Sequence, residues 1–285
     1  MSAASAGTTH QTAATQSVDA AGVSFAYRRF GSPSGLPLVM LQHFRGNLDN
    51  WDPALTNALA AEREIVLVDY PGVGSSTGEP KAAISPTARA MIAFTDALGL
   101  HEIDLLGFSI GGFAAQEMAL VRPKLVRRLV LAATGPKGAP GMHGWREDIA
   151  TAARGESKPE NLLYIMFAHT DTSQAKGKEF LGRFLQRQEG RDAPTSDAVR
   201  DAQYDAIVEW GIPDHAALQR LTGINVPTLV IQGDNDLMIP AKLSHILAGL
   251  IPDARITLYP DAAHGFVFQY PTEVAADVNA FLAAD

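Results

Sequence analysis

The chain contains no cysteine. That absence removes a thiolate nucleophile, a thiolate metal site and a disulfide framework together. Long apolar runs are missing too, and none approaches the roughly 20 residues that a membrane-crossing helix needs. Cations are scarce: 23 Lys and Arg face 31 Asp and Glu, for a formal net charge of −8, and they form no cluster. Phosphate binding depends on such clusters, so the expected partner is a small molecule, with neither nucleic acid nor membrane. No histidine pair has metal-ligand spacing and no dense carboxylate cluster occurs, so neither a metal nor another cofactor is expected. Residues 1–17 are rich in Ala, Ser and Thr but have no basic start and no apolar core. They read as a flexible tail rather than a secretion signal, which leaves the cytoplasm as the default location.

What is present is enough for a large core. A length of 285 residues with 46% hydrophobic content suits one α/β domain carrying an insertion. A short strand near Val18 and a second over Val23 to Phe30 form an expected antiparallel edge. Leu36 to Leu41, Glu64 to Val68, Glu102 to Phe108 and Val126 to Ala132 are nearly continuous apolar runs, as strands buried on both faces would be. Helical spacing fills the intervals at Trp51 to Ala61, at Ile110 to Val121 and after Ser85-Pro86, which reads as an N-cap followed by proline in the first turn. This alternation predicts right-handed βαβ units and a mostly parallel sheet. It stops at residue 135, and up to residue 222 only helical stretches appear, around Asn161 to Phe167, Lys176 to Gln188 and Ser196 to Trp210. Strands resume at Pro227 to Gln232 and at Ala254 to Leu258, with helices at Ala241 to Ile251 and from Thr272. The expected division is a tail at 1–17, a core at 18–134 and 223–285, and an insertion at 135–222.

Gly107-Phe108-Ser109-Ile110-Gly111-Gly112 joins one of the apolar strands to a helix through glycines bracketing a serine. This pattern predicts a nucleophile elbow, in which the chain reverses sharply and side chains at positions 107 and 111 would collide. A serine hydroxyl is a weak nucleophile at neutral pH, so the elbow calls for a histidine base and a carboxylate further along the chain. His264, in the loop after the last strand, is the candidate base. The loop after the preceding strand, Gly233-Asp234-Asn235-Asp236, offers two acids; Asp236 is preferred, with Asp234 and Asp261 as alternatives.

Together, the elbow, the Gly233-Asp234-Asn235-Asp236-Leu237-Met238-Ile239-Pro240 loop and Ala263-His264-Gly265-Phe266 resemble the α/β-hydrolase superfamily. The resemblance spans residues 18 to 285 and implies a doubly wound sheet with the insertion as a helical cap over the active site. Asp69-Tyr70-Pro71-Gly72-Val73-Gly74-Ser75 is similar to a structural loop of that family; it lacks the lysine of a phosphate-binding loop. The family's oxyanion hole would combine the amide of Ile110 with that of Phe44 or Arg45, where His43-Phe44 stands in place of a common His-Gly. Arg45 would either meet an anionic substrate group or point to solvent, and His43 reads as a hydrogen-bonded structural residue. Met142, Trp145, Tyr164, Met166 and Phe167 are candidates to line the pocket, or simply to pack the cap. Trp145 and Phe167, with Arg45, are taken as substrate-binding.

The implied activity is a serine hydrolase acting on an ester or lactone of a small, largely apolar substrate. Perhydrolase or haloperoxidase chemistry, carbon–carbon bond hydrolysis and a non-catalytic binding role are the alternatives on this fold. Relatives that use aspartate as nucleophile are set aside because Ser109 holds that position.

Overall fold

A computed structural model gives the arrangement of the chain, with residues 7–284 described. One eight-stranded sheet runs through it. Its strands are β1 (Gln16–Ala20), β2 (Val23–Gly31), β3 (Leu38–Leu41), β4 (Glu64–Val68), β5 (Ile103–Phe108), β6 (Val126–Ala132), β7 (Thr228–Gly233) and β8 (Ala254–Tyr259). They lie in the order β1-β2-β4-β3-β5-β6-β7-β8; β2 is antiparallel to both β1 and β4, and the other pairs are parallel. Every residue of β3, β4, β5 and β7 is buried, which is why those segments are apolar almost throughout. The terminal strand β1 alternates between half-buried and exposed positions, and β8 is only partly covered.

Helices cover both faces. Those between strands are α1 (Pro53–Ala60), α2 (Ile84–Ala97) and α3 (Ile110–Val121). Between β6 and β7 come α4 (Glu147–Arg154), α5 (Pro159–Met166), α6 (Asp171–Phe184), α7 (Asp197–Trp210) and α8 (His215–Gln219), with no strand among them. The C-terminal part adds α9 (Lys242–Leu250), α10 (Phe266–Gln269) and α11 (Pro271–Ala283). The start of α2 corrects the expected Ser85 cap. Ala83 stands at the N-cap with no side-chain bond, and buried Ile84 opens the helix, which places Pro86 within the first turn. No helix among the described residues is long and apolar enough to cross a membrane.

The chain order reverses on either side of β3, whose neighbours are β4 and β5. In open α/β sheets, crevices for ligands open at the carboxyl ends of strands at such a switch point. There α3 packs so closely on β3 that a Cβ on Gly111 would lie 2.2 Å from the Leu41 carbonyl oxygen. A Cβ on Gly107 would lie 2.4 Å from that of Gly111. Both obstacles are backbone, so neither position accepts a side chain.

The tail reading needs correction over the described residues 7–17; residues 1–6 lie outside them. His10 and Ala13 are buried. Arg187, from the insertion, donates to the carbonyls of His10, Gln11 and Ala13 at 3.2, 3.0 and 2.9 Å, and His10 donates its amide to Asn57. Buried charge continues from there: Arg28 pairs with Asp49 at 2.6 Å, and the Asp192 amide donates to Asp49 Oδ2 at 2.7 Å. Asp69 and Asp192 each keep one Oδ2 buried without a hydrogen-bond partner. Gly74, at φ 54, passes directly over Asp69, so the glycine-rich loop after β4 has a structural task. Burial, and then the Asp192 carboxylate, push the Asp69 carboxyl well above the usual carboxylate range.

Gly111→Ala should lower stability by about 2 kcal/mol or more in denaturant unfolding. Gly182→Ala, on an exposed face of α6 with nothing within 4 Å, should be neutral or slightly stabilising. Equal effects would contradict the close approach. Asp69, its carboxyl raised by burial, holds in the folded state a proton that the unfolded chain releases near pH 4. Its contribution is present at acid pH and is lost as the pH rises through the raised folded value. Asp69→Asn retains an acceptor and removes the titration, so its stability relative to the parent should improve from pH 5 to pH 8. Urea unfolding at both values checks this, and a constant difference would contradict it.

Candidate active site

Ser109 is the residue between β5 and α3, and its backbone lies at φ 58, ψ −122. A non-glycine residue in such a conformation stores strain that its surroundings must hold. They hold it at three points. The Ser109 amide donates to the Ala132 carbonyl at 2.9 Å. The Ser109 carbonyl accepts from Gly112 at 2.9 Å and from the Thr134 hydroxyl at 2.9 Å. A Cβ on Gly112 would run into Thr134, so the second glycine of the pair is also required.

His264 follows β8, and its Nε2 lies 2.9 Å from Ser109 Oγ. Its Nδ1 lies 2.7 Å from Asp236 Oδ2. The serine hydroxyl therefore donates to the imidazole, and the imidazole N–H donates to the carboxylate. All three groups are buried. Asp236 is held on each oxygen. Oδ1 accepts from the amides of Met238 and Ile239 at 2.8 and 2.9 Å, while Oδ2 also accepts from Gln232 Nε2 at 2.8 Å. Asp234 instead accepts from its neighbour Asn235 and from the Ala262 amide, and Asp261 accepts from Thr170. Of the three candidate acids, only Asp236 reaches His264.

Gln232 was not singled out in the sequence, although a glutamine closing an otherwise apolar strand was a signal. It is fully buried, donates also to the Ile239 carbonyl at 2.8 Å and accepts from Ser244 at 3.2 Å. It fixes both the position of Asp236 and the turn that presents it. The Phe108 ring lies 5.4 Å from the His264 ring and 5.3 Å from that of His43, forming an aromatic wall behind the imidazole.

His43 lies at the carboxyl end of β3. Its Nδ1 donates to the Phe44 carbonyl at 2.8 Å, and burial lowers its pKa to about 4, so it stands neutral beside His264. Arg45 follows in the left-handed region, at φ 62. Its amide donates to Gln203 Oε1 at 2.7 Å. The Phe44 amide and the Ile110 amide at the start of α3 have no acceptor among the described residues. The half-buried Arg45 guanidinium has its hydrogen bonds to backbone and hydroxyl oxygens rather than to a carboxylate. It donates to the carbonyls of Ala153 and Gly155 at 3.0 and 2.7 Å and to the Ser157 hydroxyl at 2.8 Å.

A cavity of about 410 Å³ lies beside this loop. Its walls are mostly apolar, with Phe44, Ala152, Leu162, Ile165, Met166, Leu181 and Phe184, and carry polar groups from His43, Arg45, Asn50, Glu156, Ser157, Lys158 and Asn161. Of the expected lining residues, Met166 is on the wall, and its carbonyl accepts from the Gly265 amide beside His264. Phe167 is a correction: it is fully buried against Phe180 and Gly177 and does not reach the cavity. Trp145 packs edge-on against Phe44 at 5.3 Å and against Tyr204, also outside the wall. Met142 is buried beneath Gly135 and Gly211, and Tyr164 is exposed, donating to Asp148. Among the described residues, no group of three or more His, Cys, Asp or Glu could hold a metal ion.

Residues 37–271 match the family model of the α/β hydrolase fold. A solved α/β hydrolase fold protein from Chitinophaga pinensis superposes with a TM-score of 0.93 at 38% identity, covering 98% of this chain and 100% of that one. By sequence, the chain is similar to the dihydrolipoyllysine-residue acetyltransferase component of an acetoin cleaving system from Pseudomonas putida. That match is 29% identical over 273 residues, 94% of this chain and 69% of that protein. It is also similar to a pimeloyl-[acyl-carrier protein] methyl ester esterase from Klebsiella pneumoniae, 27% identical over 252 residues, 82% of this chain and 88% of that protein. With its sheet order, its elbow and the family match over most of its length, this chain belongs to the α/β-hydrolase fold family.

Proposed function

We propose that this protein is a serine hydrolase that cleaves a carboxylic ester or lactone of a small, largely apolar substrate through an acyl-enzyme. The observation that carries this reading is the hydrogen-bonded chain from Ser109 Oγ through His264 to Asp236, on a strained elbow between β5 and α3. The similarity to a methyl ester esterase supports it.

In this mechanism Ser109 Oγ attacks the substrate carbonyl as His264 Nε2 takes its proton. Asp236 keeps the imidazole in the Nδ1–H tautomer and stabilises the imidazolium that forms. The amides of Ile110 and Phe44 receive the developing oxyanion; Arg45 is a poorer donor because its amide is already given to Gln203. Collapse expels the alkoxide, which takes the proton from His264. Water then gives a proton to His264 while attacking the acyl carbon, and release of the acid restores Ser109.

Residues 135–222 act in this reading as a cap on a core formed by 18–134 and 223–285, with the 410 Å³ cavity between them as the substrate's apolar site. Arg45 serves as a clamp between cap and core rather than as an anion receptor, because its guanidinium is bonded to backbone and hydroxyl oxygens of the cap.

A panel of p-nitrophenyl esters of increasing acyl length tests the proposal. Turnover should pass through an optimum in chain length. Ser109→Ala should lower it at least about 10⁴-fold, and Asp236→Asn by a similar order, with folding intact. Undiminished turnover in Ser109→Ala would overturn the mechanism. Halogenation that depends on peroxide and acetate, without ester turnover, would assign the same residues to perhydrolysis.

A further inference from the structure

We propose that Gln203, on α7 of the insertion, is a positioning residue for the oxyanion site: it holds the Arg45 amide so that the preceding Phe44 amide faces Ser109. This rests on the serine-hydrolase reading above and adds a residue far from the elbow in sequence.

The need for such a residue lies in the backbone of the loop after β3. Arg45 is not glycine, yet it adopts φ 62, a strained conformation that persists only where its surroundings impose it. One restraint is local: the Gly46 amide donates to the His43 carbonyl at 3.0 Å, closing a turn. The others come from the insertion. Gln203 Oε1 accepts the Arg45 amide at 2.7 Å, Thr195 Oγ1 donates to the Arg45 carbonyl at 2.6 Å, and the guanidinium is tied to residues 153, 155 and 157.

Two successive amides leave this turn, those of Phe44 and Arg45. Only the second has a protein acceptor among the described residues. With Gln203 in place, the Arg45 N–H is directed to the insertion and the Phe44 N–H is left for the oxyanion. Without it, Arg45 carries an unpaired donor in a partly covered site, and the turn relaxes toward ordinary φ to satisfy it. That relaxation rotates the 44–45 peptide unit, whose carbonyl takes the His43 ring bond, and through the Phe44 Cα it turns the adjoining 43–44 unit, which carries the Phe44 N–H, off its target. Gln203 is itself buried, and it lines a narrow crevice together with Ile110, which supplies the other oxyanion amide. The same side chain is thus next to both halves of the oxyanion site while touching no reacting atom. The consequence is coupling: the oxyanion site is complete only when the insertion is seated on the core.

The test is made on the full chain, with the best ester of the panel and with a phenylboronic acid, which binds a catalytic serine as a tetrahedral anion. Gln203→Leu should lower kcat about 10- to 100-fold with KM within about twofold. Boronate affinity should fall by a similar factor. Gln203→Glu, which still accepts the Arg45 N–H, should recover most of both. Equal boronate affinity in the parent and in Gln203→Leu would overturn the proposal, as would a loss of kcat that merely follows a lower folded fraction. Should Gln203→Leu fail to fold, Thr195→Val carries the same test, because it releases the Arg45 carbonyl instead. A fall in both kcat and boronate affinity supports the coupling, and unchanged boronate affinity overturns it. A parent protein with neither serine-dependent turnover nor boronate binding would instead refute the hydrolase reading itself, a result distinct from any of these.

Discussion

The backbone of Ser109 is the constraint from which the rest of the site follows. At φ 58 and ψ −122 it needs an acceptor for its amide in β6, two donors to its carbonyl, and neighbours at 107, 111 and 112 that bring no side chain. Those glycines let α3 settle against the carboxyl end of β3. Parallel strands then deliver the remaining groups to one edge of the sheet: β7 leads to Asp236 and β8 to His264. The strain at Ser109 is supported by a sheet whose central strands are wholly buried, and a softer scaffold would let the elbow relax.

A second level of organisation joins the insertion to this edge. Met166 accepts the amide of the residue after His264, Arg45 reaches into the end of α4, and Gln203 and Thr195 hold the Arg45 backbone. Elsewhere in the insertion, Arg187 gathers three carbonyls of the N-terminal segment, and Asp192 enters the buried charge cluster with Asp49 and Arg28. The insertion is therefore bound through polar contacts along several of its segments, and the mostly apolar cavity lies between α4, α5 and α6 beside Phe44. Polar contacts of this kind fix orientation more sharply than apolar burial alone, because their geometry is directional.

Legibility in the sequence followed the range of the interactions. Strands covered on both faces must be continuously apolar, so β3 to β7 could be read from composition. Ser109 and His264 could be read because their chemistry demands those residue types beside glycines and after strands. Asp236 is preferred over Asp234 in the sequence, but what holds it in place, the amides of Met238 and Ile239, is not legible there. Phe167 was misassigned because helical spacing of apolar residues does not distinguish a face turned to a cavity from one turned to Phe180. The fate of Arg45 and the ordering of residues 7–17 depend on partners more than a hundred residues away, in α4, α7 and Arg187. Small polar residues and a lone arginine carry no local sign of such partners.

The most direct test of the central claim, that the elbow presents Ser109 as a nucleophile activated by His264, is covalent labelling with a fluorophosphonate followed by peptide mass spectrometry. The account predicts stoichiometric modification confined to the peptide containing Ser109, with labelling slowed at least about 10³-fold in His264→Ala. Labelling elsewhere on the chain, or at an equal rate without His264, would contradict it.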